Sequence, residues 1–353
     1  MSKRIVSILA LSLAFAWSQA PAMATSSGSG TSSITLNEAK SSPNVLSDRD
    51  QAEKILGQIS TLSRVFDYNG DGRTDFTVVR SAGGPGSQLS WHTSFAGGNP
   101  SAPRDWGVNG DFIVSGDYDG DNIADIAVYR ASIGTFYVVE SATFTLRVDQ
   151  LGQSGDNPRV VGDYNGDGRD DLAVYRSGAQ STWFYKTSAN ALFTAVDWGQ
   201  TGDFPAPGDY DGDGKSDFVV QRADGGNGRF WKRLSSGGFS SEQFGLPSDL
   251  VVPGDYDGDN RTDLCVVRNV GGFLVWEYEP SGTAGSTVVS STWGISGDLT
   301  VQGDYDGDGK TDYAVWRSGT PAAFYVMTAG TGNISSKEWG QTGDLPIARI
   351  NSF

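Results

Sequence analysis

A nine-residue acidic segment that returns six times limits the folds open to this chain more than any other feature. The copies read DYNGDGRTD from Asp67, DYDGDNIAD from Asp117, DYNGDGRDD from Asp163, DYDGDGKSD from Asp209, DYDGDNRTD from Asp255 and DYDGDGKTD from Asp304, at spacings of 50, 46, 46, 46 and 49 residues. Self-similarity at a fixed period marks stacked supersecondary units, none of which buries its apolar face alone. Each acidic segment leads into an apolar run, such as LAVYR ending at Arg176, and then an aromatic run, such as TWFYKTS ending at Ser188. A third run ends in WG, LG or FG, and a Gly-Asp or Ser-Asp step opens a short run before the next acidic segment. Four short strands per unit is the content of one propeller blade. Solenoid turns are shorter, and sandwiches do not repeat so regularly. The expected fold is all-β: a β-propeller of six four-stranded blades over residues 61–353.

The end of the chain adds a question of closure. Trp339 to Ile350 repeats the W-G-x-x-G-D turn and the strand after it, then stops where a seventh acidic segment would begin. Propellers usually close by pairing strands from both termini. A seventh blade without an acidic loop is therefore an open alternative, built from this tail and from residues about 30 to 60, with Ser33 to Asn37 as one strand.

The acidic segments have the chemistry of a metal loop. Side-chain oxygens stand at positions 1, 3, 5 and 9: Asp67, Asn69, Asp71 and Asp75; Asp117, Asp119, Asp121 and Asp125; Asp163, Asn165, Asp167 and Asp171; Asp209, Asp211, Asp213 and Asp217; Asp255, Asp257, Asp259 and Asp263; Asp304, Asp306, Asp308 and Asp312. The backbone carbonyl at position 7, of Arg73, Ile123, Arg169, Lys215, Arg261 or Lys310, adds a further donor. Ca²⁺ takes six to eight such hard oxygens. Position 4 is always Gly, and position 6 is Gly or, at Asn122 and Asn260, Asn. These residues tolerate the positive φ of a sharp turn. An EF-hand ends on Glu at position 12 and joins two helices, whereas this loop ends on Asp at position 9 between strand-like runs. The reading is one Ca²⁺ per loop, about six in all. Gathering each set of carboxylates without a cation would be repulsive. Six divalent ions would offset most of the formal charge of −16.

These motifs resemble the FG-GAP (or VCBS) repeats of integrin α-subunit propellers and of many exported bacterial proteins, over residues about 61 to 353. Trp106-Gly107, Trp198-Gly199, Phe244-Gly245 and Trp293-Gly294 stand where that family has FG, while Arg-Ser or Arg-Ala replaces GAP, as at Arg176-Ser177. The resemblance implies a propeller with a calcium loop between the first two strands of a blade.

The flanks and composition fill in the setting. Lys3 and Arg4, the apolar run Ile5 to Trp17 and the small-x-small site Ala22-Met23-Ala24 read as a signal peptide over residues 1–24. Residues 25–60 read as a flexible leader with a short helix, Asp48 to Leu56, capped by Ser47. The expected location is secreted, either extracellular or periplasmic, with no membrane insertion after signal cleavage. Cys265 is the only cysteine, so no disulfide forms within the chain, and the metal loops are expected to tie down the loop-rich fold in its place. The net charge argues against nucleic acid or an anionic membrane as partner. Cys265 itself stands where other copies have Ala173 or Val219, and reads as a small buried hydrophobe.

Two further residues recur once per unit. An arginine follows the last loop aspartate by five positions (Arg80, Arg130, Arg176, Arg222, Arg268, Arg317), and an aspartate follows each W/F/L-G (Asp111, Asp156, Asp203, Asp249, Asp298, Asp344). They form either a bidentate staple that could join neighbouring blades, or a basic ring for an anionic glycan. The position-2 tyrosines, Tyr68 to Tyr305, read as packing under the loop. Trp183, Trp231 and Trp276 either fill inter-blade space or face a saccharide. His92 reads as incidental.

The function these features point to is a secreted calcium-binding propeller acting as a binding or adhesion module for an extracellular glycan or protein. No catalytic residue is assigned, because acids repeated in every blade are scaffold before they are an active site. An extracellular polysaccharide lyase or hydrolase, and a purely structural surface or matrix protein, are the alternatives.

Overall fold

The structure is a computed structural model that describes residues 66–281 and 287–347. The signal segment, the leader with its helix and the strand at Ser33 to Asn37 lie outside the described residues. Six antiparallel sheets follow one another along the chain as blades 1 to 6, each led by the strand after an acidic loop: Phe76–Ser81, Ile126–Arg130, Leu172–Arg176, Phe218–Asp224, Leu264–Val270 and Tyr313–Arg317. In each blade that strand pairs with a third strand and, except in blade 3, with a short innermost one; the third pairs with an outer strand.

Burial follows this order outward. The first four residues of each second strand are buried because both faces of the strand are covered. In blade 3, Leu172 and Val174 pack into the core shared with blade 2, and Ala173 and Tyr175 into the core shared with blade 4. The six cores sit between blades rather than within one, so no blade can be stable alone. Cys265 is fully buried among Tyr256, Trp276 and Tyr313 in the core of blades 5 and 6. Outer strands such as Leu146–Gln150 alternate half-buried and exposed residues.

The tail does not begin a seventh blade. Leu345–Pro346 pairs with Val79 and Val78 and supplies the innermost strand of blade 1, and Ile347 N donates to Thr77 O at 3.0 Å. The indole of Trp339 donates to His92 O across the same seam at 2.9 Å. The ring of six is thus closed by the Leu345–Pro346 strand, and blades 6 and 1 pack directly on each other through Phe76, Val78, Trp316 and Phe324.

Candidate metal centres and the arginine clamps

Each acidic loop is built the same way from its own backbone. The position-1 carboxylate accepts the N–H of position 4 at 2.6–2.7 Å and of position 6 at 2.7–2.9 Å, which winds the chain around it. This winding needs positive φ at both positions: Gly120 has φ 79°, and Asn122 and Asn260 take 64° at position 6. The position-9 carboxylate bridges two segments. One oxygen accepts the N–H of position 2 at 2.8–3.1 Å. The other accepts an N–H from the hairpin after the third strand, from Ala96, Ser141, Ser188, Ser235, Ser281 or Ala329, at 2.6–3.0 Å.

These bonds gather the carboxylates. Asp117, Asp119 and Asp125, then Asp209, Asp211 and Asp217, then Asp255, Asp257 and Asp259, and finally Asp304, Asp306 and Asp308 each place ligand oxygens within 4.8 Å of one another. These four clusters could hold a metal ion. In blades 1 and 3 the position-3 residue is Asn, and the amides of Asn69 and Asn165 donate to Asp71 and Asp167 at 3.1 and 2.9 Å. The donor set is oxygen only, which suits a hard divalent cation. Burial, the largest cause, pushes the position-9 carboxyls Asp75, Asp125, Asp171, Asp217, Asp263 and Asp312 up to about 7 against their two N–H bonds, and neighbouring loop aspartates push the same way. Burial likewise raises Asp117, Asp163, Asp209, Asp255 and Asp304 to about 6, and raises Asp67.

This has a sign for stability. Without metal the folded protein holds protons that the unfolded chain releases near pH 3.8, so metal-free stability falls as pH rises from about 4 towards about 7. In chelator, the melting temperature is expected to be higher at pH 5 than at pH 7.5. With saturating divalent cation the order reverses, because protons compete with the ion. A metal-free melting temperature that climbs over this range contradicts the assignment.

The loops are also joined to one another. The position-8 N–H of each loop donates to the position-1 carbonyl of the preceding one: Ala124 to Asp67, Asp170 to Asp117, Ser216 to Asp163, Thr262 to Asp209 and Thr311 to Asp255, all at 2.6–2.7 Å. Thr74 N donates to Asp304 O at 2.6 Å and completes the circle. The side chain at position 7 lies over the position-4 glycine of the neighbour, and Lys310 Nζ donates to Asp257 O at 2.8 Å. Position 8 carried no signal in the sequence, because its role is played by the backbone. The serines after the third strand did carry one: Ser141, Ser188, Ser235 and Ser281 recur 16 to 18 residues after position 9.

Opposite the loops stand the recurring arginines, roughly 16 Å away along a five-residue strand. Each is bidentate to the aspartate of its own blade. Arg80–Asp344, Arg130–Asp111, Arg176–Asp156, Arg222–Asp203 and Arg317–Asp298 run at 2.7–2.9 Å through Nε and Nη2. Arg268 clamps Asp249 in the same fashion. The aspartate also accepts an N–H three residues back at the end of the preceding blade, as from Gln200 to Asp203 at 2.8 Å. The staple is thus within a blade on its arginine side and between blades on its backbone side. Gly199 between these groups has φ 106°, and a Cβ there would stand 2.8 Å from the Tyr175 hydroxyl.

The tyrosines at position 2 pack as expected. Those of blades 2 to 6 are buried, and each donates its hydroxyl to the carbonyl four residues back, as Tyr256 does to Val252 at 2.8 Å. Trp183 and Trp276 are buried, whereas Trp231 is half-buried beneath Arg222. His92 occupies in blade 1 the place that Tyr137, Phe184, Trp231 and Tyr325 hold beside the other arginines, so its position belongs to a pattern visible only once the strands are in register.

Six blades in a ring, each with an acidic loop at the same corner, define a repeat propeller with candidate metal centres. A sequence-family profile described as FG-GAP-like repeat matches residues 163–220, 209–266 and 255–315. The three matched repeats and the six-blade ring together support an FG-GAP-repeat β-propeller. No curated protein matches it. Among solved structures, a triple arginine-to-alanine mutant of AofleA from Arthrobotrys oligospora aligns at a TM-score of 0.48 with 11% identity, over 74% of this chain and 82% of that one. A functionally unknown protein from Desulfotomaculum acetoxidans aligns at 0.42 with 14% identity, over 76% and 81%.

Proposed function

We propose that this protein is an exported propeller whose six acidic loops hold Ca²⁺ as structural ions and whose opposite face binds an extracellular glycan or protein. The ion would supply the charge that lets the buried loop carboxylates stay ionised; the chain supplies the oxygen cage and the N–H groups that shape it. The observation that carries the recognition reading is on the clamp face. Each clamp arginine remains 27–39% exposed although its aspartate is buried. Arg130, Arg176, Arg222 and Arg317 lie over Tyr137, Phe184, Trp231 and Tyr325 at 4.5–5.2 Å. Blades 1 and 5 place His92 and Glu277 there instead. A constant clamp beside a changing neighbour is a scaffold with room for specificity, and planar aromatic and guanidinium surfaces suit sugar rings. The proposal assigns no catalytic group, since the loop carboxylates recur in every blade and are bound by their own backbone.

A glycan array read in Ca²⁺ and in chelator tests this, with Trp231→Ala as the site variant. Binding in Ca²⁺ that is lost in chelator and reduced by the variant is expected. An empty array together with an empty screen of extracellular proteins leaves a purely structural protein, and polysaccharide cleavage in the same assay replaces the binding module with an enzyme.

A further inference from the structure

Blade 3 departs from the other blades at its innermost segment. Six residues separate its clamp aspartate Asp156 from its first loop aspartate Asp163, against five between Asp111 and Asp117, Asp203 and Asp209, Asp249 and Asp255, and Asp298 and Asp304. The additional residue reduces the inner strand to a single bridge, Asn157 to Tyr175. In the same register the other blades pair Phe112, Phe204, Leu250, Leu299 and Leu345 with their second strands. Asn157 is therefore the one polar member of a ring of large apolar side chains where the inner strands meet the clamp face. Two residues on, Arg159 stands where blades 2, 4, 5 and 6 have Ile113, Pro205, Val251 and Thr300.

The surroundings of Arg159 are unlike those of every clamp arginine. Its guanidinium lies over the Phe112 ring of blade 2 at 5.1 Å and is half-buried. Among the described residues no carboxylate pairs with it, in a chain with 42 acidic residues. Burial lowers its proton affinity with nothing opposing. The Asn157 Oδ1 accepts the Arg159 backbone N–H at 3.0 Å, which leaves the amide nitrogen of Asn157 as a further donor two residues from Arg159. An unpaired cation out of water is costly, and a planar guanidinium fork matches a carboxylate. The calcium loops, where negative charge is concentrated, are on the other face.

We propose that the clamp-face mouth of the propeller axis binds a ligand that carries a carboxylate beside an apolar face, the carboxylate on Arg159 and Asn157 and the apolar face against Phe112. A uronic sugar offers both features, and in that form the inference rests on the glycan reading above; a non-sugar acid offers them independently of it. Calorimetric titration at a fixed free Ca²⁺ concentration decides, with sodium glucuronate, glucose and sodium benzoate as probes. Saturable binding of glucuronate but not glucose is expected, weakened roughly ten- to hundredfold by Arg159→Gln. The melting temperature of the unliganded variant should be unchanged or higher, since the substitution removes an unpaired half-buried charge. Benzoate binding with the same loss, and no response to glucuronate, keeps the carboxylate site while removing the sugar as its source. Wild-type protein that binds neither acid overturns the proposal, as does acid binding that survives Arg159→Gln. Should that variant fail to fold, Asn157→Ala removes the second donor and is expected to weaken glucuronate several-fold; an unchanged affinity overturns the site.

Discussion

Chelating divalent cations is expected to lower the melting temperature of this protein by about 15–25 °C. Extracellular calcium modules bind at about 10⁻⁴ to 10⁻³ M, and a site held at tenfold saturation stabilises its fold by about 1.4 kcal/mol. Six such sites contribute roughly 8 kcal/mol, comparable to the whole stability of an ordinary domain at about 5–15 kcal/mol. The chain has no disulfide to take over this role. The position-8 to position-1 hydrogen bonds close the six loops into one circle through Thr74 and Asp304. Loss of the ions should therefore appear as one cooperative transition rather than six. Differential scanning calorimetry across a free-Ca²⁺ series gives the result directly. An unchanged melt in chelator would remove the structural role of the ions.

The second large effect belongs to the clamps. Arg222→Ala is expected to cost about 2–4 kcal/mol, and Asp203→Asn a similar amount. Removing one partner of a buried pair leaves an uncompensated charge, for which about 3–5 kcal/mol is usual, reduced here because the arginine is partly exposed. The Asp203 side chain is fully buried and accepts two guanidinium N–H bonds at 2.7 Å with the Gln200 N–H at 2.8 Å. Without Arg222 only the backbone N–H of Gln200 would meet its buried carboxyl group. Arg222→Lys keeps the charge but loses the bidentate fork, and should recover less than half of the loss. Denaturant unfolding of the two single variants and the double variant gives the coupling, expected above about 1.5 kcal/mol. A melt unmoved by Arg222→Ala, with ligand binding abolished, would reassign the arginines from staple to ligand ring.

The site chemistry was readable because it is local and repeated. A loop whose ligands lie within nine residues needs no distant partner to be recognised, and six copies separate the pattern from chance. The arginine and aspartate of each clamp were visible as a matched pair for the same reason. What they join was not: Asp203 is local to one blade through its carboxylate and to another through Gln200, and sequence spacing cannot distinguish the two. His92 shows the converse. Alone in the sequence it has no partner, and only strand register places it with Tyr137 and Phe184.

The recurring units alone determined the all-β class, six blades that carry an acidic loop, the φ > 0 positions and the oxygen-only donor sets. Each of these depends on steric and coordination rules that act over a few bonds. Closure was decided by tertiary structure, which placed Leu345–Pro346 against Val78 and Val79 instead of in a seventh blade. That pairing satisfies a sheet edge left open by a chain segment more than 250 residues earlier, and nothing in the local sequence of the tail encodes which edge it meets. The circle of loops and the Arg159 that pairs with no carboxylate among the described residues arise likewise from packing one blade on the next. A single inserted residue in blade 3 leaves the 46-residue period of the acidic loops unchanged, and its consequence, Arg159 over the Phe112 ring of blade 2, shows only when the blades pack.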